Sequence, residues 1–143
     1  CGVFACMRAD DSVTDGFSLF YAEVKRLRRL LEQMEQHSGQ PTLFLIDEIF
    51  RGTNNRERLI GSQAYVRALA GLRGAGVIST HDLELTHLAD EIPGLANYHF
   101  REEIAEGKMI FDYRLRSGPC PTTNALVIMA MEGLPVTGVE GTP

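Results

Sequence analysis

Asp47 and Glu48 stand side by side at the end of the apolar run Leu43-Phe44-Leu45-Ile46, and a polar, glycine-containing turn follows at once. Two adjacent carboxylates can divide a hydrolytic task between them. One can hold Mg²⁺ through its water shell, while its neighbour, aimed elsewhere because strand side chains alternate, can orient or deprotonate an attacking water. The plainer reading is a strand whose last two acids cap the next turn. A second place of interest is His81, which follows Ser79-Thr80 at the end of another apolar stretch. Its imidazole could act on a proton or serve as a structural hydrogen-bonding group.

The surrounding pattern is that of an α/β chain. Residues 42–46 are apolar without alternation, which predicts a central strand of a parallel sheet with both faces covered. Upstream, Phe20, Tyr21, Val24, Leu27, Leu30, Leu31 and Met34 recur every three or four residues and predict an amphipathic helix from Phe17 to about Gly39-Gln40-Pro41. Its opposite side carries Lys25, Arg26, Arg28 and Arg29, read as a solvated face. Residues 56–72 predict a second helix, closed by Gly71, Gly74 and Gly76, and "GVIST" predicts a second buried strand. Asp82 can cap a helix running to Ala89. Beyond Pro93-Gly94, "NYHFREEI" and "KMIFDYRLR" flank Ala105-Glu106-Gly107 and predict an antiparallel hairpin at the sheet edge. Thr122 or Thr123 can start a last helix to Met131, ended by Gly133 and Pro135, and the tail 137–143 is expected to fray.

Composition narrows the class. A chain of 143 residues, 44% hydrophobic, can bury one core and is short for two. The net charge of −5 argues against a surface that holds nucleic acid unaided, since phosphate binding relies on clustered Lys and Arg. Cys1, Cys6 and Cys120 form no metal-binding or disulfide rhythm, and His37, His87 and His99 show no ligand spacing, so a reduced, cytoplasmic setting is expected. No apolar run is long enough for a membrane span.

Four ordered stretches carry a resemblance. "ADDSVTDGFSLFYAEVKRL" (9–27), "LFLIDEIFRGTNNRER" (43–58), "ISTHDLEL" (78–85) and "YRLRSGPCPTTNALVIMAMEGLPV" (113–136) resemble the second half of the ATPase domain of the DNA mismatch-repair MutS family. The likeness covers residues 7–136. It implies a partial ABC-type P-loop ATPase domain over 1–136, mainly parallel sheet flanked by helices with a C-terminal antiparallel hairpin, and ATP and Mg²⁺ as cofactors. Asp47 would be the Walker B acid on Mg²⁺ and Glu48 the carboxylate that activates water. His81 would be the switch histidine at the γ-phosphate. Gly16 and Ser18 match the signature loop that caps the nucleotide of the other subunit, and Thr53, Asn54 and Asn55 match the D-loop along the dimer seam. The implied partners are a second MutS-like subunit in a homodimer and DNA, the latter held by parts of the protein outside this chain. Read from their types alone, Ser18 is a helix cap and Asn54-Asn55 are turn residues. Arg51 could pair with Glu48 or reach the nucleotide. Ser18-Leu19-Phe20 and Asp82 depart from members that read mismatches, and with Phe50 and Asn54-Asn55-Arg56-Glu57 they look more like bacterial MutS-like proteins without a mismatch-reading module.

An ATPase of this kind needs a phosphate loop, G-x-x-x-x-G-K-[ST]. Of the two lysines, Lys25 follows Val24, and Lys108 follows Gly107 but precedes Met109. No such loop is present in these residues, and the first residue is Cys. A fragment that is inactive alone is therefore expected. Two alternatives stand beside it: a non-enzymatic interaction or dimerisation module, and another ABC-type ATPase of chromosome maintenance.

Overall fold

The computed structural model describes residues 2–7, 16–36, 40–106, 108–121 and 124–136, and of residues 16–18 the backbone alone. The backbone divides into two compact units, Cys1–Leu95 and Ala96–Pro143.

The first unit is an α/β layer. Strand β1 (Gly2–Cys6) leads to helix α1 (Gly16–Gln36), strand β2 (Thr42–Asp47), helix α2 (Asn55–Ala70) and strand β3 (Gly74–Ser79). The three strands form a parallel sheet in the order β1-β2-β3, with Cys6 opposite Ile46 and Asp47 opposite Ser79. Parallel neighbours joined through helices are what alternating strand and helix signals lead to. β1 was not expected from sequence. It is a five-residue stretch containing Gly and Ala, and its partner, residues 42–46, lies some forty positions on.

α1 buries most of the predicted stripe, with Leu27, Leu30 and Met34 almost wholly enclosed, but Tyr21 of that stripe is exposed, and the basic side lies in solvent. There Arg28 pairs with Glu32 at 2.7 Å and Lys25 lies 4.5 Å from the centre of the Tyr21 ring. α2 starts at the cap residue Asn54, whose side chain accepts the Glu57 amide, and stops before Gly71. Gly74 and Gly76, expected to help close this helix, instead lie inside β3. A Cβ on Gly74 would stand 2.6 Å from Met34 Cε, and one on Gly76 would strike the Phe44 ring, so the core leaves room only for glycine there.

The expectation that both faces of the sheet are covered is corrected. Thr42, Phe44 and Ile46 point into the core with residues of α1 and α2, while Val3 (73% exposed), Leu43 (40%) and Val77 (64%) lie on the other face in solvent. β3 is likewise exposed except for half-buried Ile78, contrary to the buried strand expected. The reason is local: both long helices contribute to a single core cluster, on the side of Phe44 and Ile46. After β3, Asp82 caps as expected, but the element is a 3₁₀ turn (Leu83–His87) followed by one short helix, α3 (Leu88–Glu91), in place of a continuous helix.

The second unit holds the expected hairpin: β5 (Glu102–Ala105) pairs antiparallel with β6 (Lys108–Phe111), while Gly107 lies outside the described residues. Strands β4 (Tyr98–His99) and β7 (Arg116–Ser117) pair separately, because residues 100–101 face the longer stretch 112–115, which includes Tyr113 at φ 54°. Helix α4 (Ala125–Met131) follows Asn124 and ends before Gly133 at φ 82°, as the glycine suggested. Thr122, Thr123 and the expected tail 137–143 lie outside the described residues.

Candidate functional site

β2 and β3 are parallel neighbours, so their carboxyl ends open at one edge, and the predicted acids and histidine meet there. The Ser79 hydroxyl donates to Asp47 Oδ1 at 2.7 Å, a direct consequence of the Asp47–Ser79 register. The Glu48 amide donates to Ser79 Oγ at 3.2 Å and to Ser79 O at 3.1 Å. His81 Nε2 lies 3.3 Å from Glu48 Oε1.

The chain turns sharply at this edge. Glu48 and Phe50 both adopt left-handed backbone, at φ 58° and 57°. Each costs about 1–2 kcal/mol for a residue with a Cβ, so the surroundings must hold them. Arg51 is one holder. Its Nη2 donates to Asp47 O at 2.6 Å and lies 3.0 Å from Asp47 Oδ2, while its Nε stands 2.7 Å from Glu48 Oε2 without being aimed as a hydrogen bond. One partly buried guanidinium is thus shared between both acids, the pairing with Glu48 being one of the two roles open to it from sequence. Glu23 of α1 is another holder, its Oε1 accepting the Phe50 amide at 2.7 Å. Burial pushes the Glu23 carboxyl up from its ordinary value, against the pull of the Phe50 and Arg51 amides and the Arg51 charge.

A cavity of about 140 Å³ opens beside these groups, lined by Glu48, Arg51, Arg58, Thr80, His81 and Asp82 among others. Its chemistry is that of an exposed imidazole and an arginine sharing one carboxylate, next to an Asp–Ser pair of hard oxygen donors.

The remaining candidates are placed as follows. Gly16 opens α1, and Ser18 falls inside its first turn instead of at the cap; its side chain and residues 8–15 lie outside the described set. Thr53 Oγ1 donates to Glu57 Oε2 at 2.5 Å and Asn54 caps α2, so these two have turn and capping roles, while Asn55 is exposed at the start of the helix. His99 Nδ1 is 2.9 Å from Gly118 O, His37 lies outside the described residues, and no cluster of three metal-ligating side chains occurs among those described. Sequence reasoning missed Ser79 and Glu23. Register would have found the first; an acid three residues after Phe20 and four before Leu27, on the apolar side of α1, was the available sign of the second.

The model of the family described as MutS domain V matches residues 2–142. The chain belongs to the MutS domain V family. It is 32% identical over 139 residues to the DNA mismatch repair protein MutS of Geobacillus thermodenitrificans, covering 96% of this chain and 15% of that protein. The DNA mismatch repair protein MutS 2 of Haloarcula marismortui is 31% identical over 96% of this chain and 14% of its own length. For MutS of Thermus thermophilus the values are 30%, 97% and 16%. The chain therefore spans about one sixth of the length of these MutS relatives. Among the described residues, no helix is long and apolar enough to cross a membrane.

Proposed function

We propose that this chain is the part of a MutS-like, ABC-type DNA-repair ATPase that brings the hydrolytic acids to a nucleotide. The observation that carries the reading is the convergence of Asp47, Glu48 and His81 at adjoining strand ends in a chain of the MutS domain V family. Glu48 is the general base for water, His81 steadies that carboxylate and faces the terminal phosphate, and Asp47 with Ser79 presents oxygen to the metal. Gly16 and Ser18 contact the nucleotide of a second MutS-like subunit, and Thr53 to Asn55 line the seam between the two. DNA is bound by segments other than these residues.

The donor set fits Mg²⁺. A carboxylate and a hydroxyl suit a small hard cation that keeps several waters and shares itself with phosphate. When bound, Mg²⁺ supplies positive charge to the phosphate oxygens. Arg51 then has to yield Asp47 Oδ2 while retaining Glu48.

No phosphate loop occurs in the sequence, so affinity has to come from outside these residues. Calorimetric titration of Mg²⁺-ATP into the 143-residue chain is expected to give no binding or millimolar binding. Micromolar binding that disappears in Asp47→Ala would overturn the half-site reading.

A further inference from the structure

The turn between β2 and α2 is fastened to α1 at three points. The Phe50 ring packs edge-on against Phe20 at 6.4 Å between centroids and against Tyr65 at 6.2 Å. Gly52 lies so close to α1 that an added Cβ would stand 2.6 Å from Phe20 Cβ. The Phe50 amide, three residues beyond the end of β2 in a left-handed turn, donates to Glu23 Oε1 at 2.7 Å. The ring and glycine contacts fix distance only. The hydrogen bond fixes rotation of the peptide, and with it the direction in which Glu48, two residues earlier, presents its carboxylate.

We propose that Glu23 is a positioning residue: by accepting the Phe50 amide it locks the acidic turn to α1, so that the helix beginning at Gly16 and the Glu48 carboxylate move as one body. This rests on the hydrolytic reading of Glu48 given above. Because the Gly16–Ser18 end of the same helix is assigned to the opposite subunit's nucleotide, Glu23 makes the aim of Glu48 depend on what that end of α1 touches. Arg51 cannot substitute, since it grips the carboxylates and the Asp47 carbonyl and leaves the Phe50 amide alone.

The test compares Glu23→Asp, which keeps the charge but shortens the reach, with Glu23→Gln, which keeps the acceptor oxygen and removes the charge. Two readouts are taken: amide hydrogen exchange of Phe50 in the 143-residue chain, and kcat and KM for ATP in the ATPase that contains it, with Glu48→Gln as reference. Glu23→Asp is expected to speed Phe50 exchange and lower kcat by about 10- to 100-fold with KM within about twofold. Glu23→Gln is expected to keep the amide protected and recover kcat to within about threefold of the parent. Slow Phe50 exchange in Glu23→Asp would overturn the proposal. So would fast exchange with unchanged kcat while Glu48→Gln abolishes turnover. Unchanged turnover in Glu48→Gln would instead refute the hydrolytic reading, and with it the assignment of Glu23 to catalysis.

Discussion

Glu48 illustrates how much a single residue is asked to reconcile at this site. Its backbone is left-handed, its amide is shared between two oxygens of Ser79, and its carboxylate is held by Arg51 on one side and approached by His81 on the other. Strain of this kind persists only where neighbours over-determine the conformation, and Glu23 is one of those neighbours. Its carboxyl is raised above the ordinary value mainly by burial, so the fold favours the neutral form. That contribution to stability is complete below the pKa of an unfolded glutamate and is lost as pH rises through the higher folded value. Glu23→Gln removes the titration. It is expected to melt above the parent at pH 7, with the gap closing as pH falls below about 4. Thermal melting across pH checks this; a gap independent of pH would contradict it. The adjacent acids and the histidine were legible in the sequence as chemistry-bearing types. Their meeting was implied by the family resemblance alone, because it depends on β2 and β3 lying side by side, which short-range spacing does not state.

At the scale of elements, the long helices were the most legible features because their signals are local. The α1 stripe and the Asn54 cap with Glu57 depend on neighbours three or four residues away. The strands were less so. β1 shows no alternation or turn signal of its own and becomes a strand only by pairing with β2. Gly74 and Gly76 looked like helix punctuation, yet their meaning is set by Met34 of α1 and by Thr42 and Phe44 of the neighbouring strand. Gly76→Ala accordingly puts a methyl into the Phe44 ring and carbonyl. It is expected to destabilise the chain by about 1–3 kcal/mol, the reverse of the usual gain from reducing backbone freedom. Urea unfolding reads this as a lower midpoint at unchanged slope, and an unchanged midpoint would place β3 farther from β2 than described.

At the scale of the whole molecule, the apolar run 42–46 is hydrophobic on both faces while only one face is covered. Leu43 and Val3, opposite one another, and Val77, one pair of residues further along β3, lie on the solvent-facing side of the three strands, and β3 is an edge of this sheet. Exposed apolar rows and unpaired strand edges promote association between chains. The purified 143-residue chain is therefore expected to self-associate with rising concentration, and Val77→Lys to shift it toward monomer. Sedimentation velocity decides: if the substitution leaves the distribution unchanged, this face is not the sticky one. The two-sided apolar pattern was legible in sequence, but which face is buried was not, because that depends on where the two long helices pack.

The central claim is that Glu48 serves ATP hydrolysis, and it is tested most directly by steady-state ATP hydrolysis in the protein that joins this chain to a phosphate loop, comparing the parent with Glu48→Gln. Turnover is expected to fall by at least about 100-fold while nucleotide binding is retained, because the amide keeps the shape of the carboxylate but cannot take the proton from water. Turnover equal to that of the parent would contradict it.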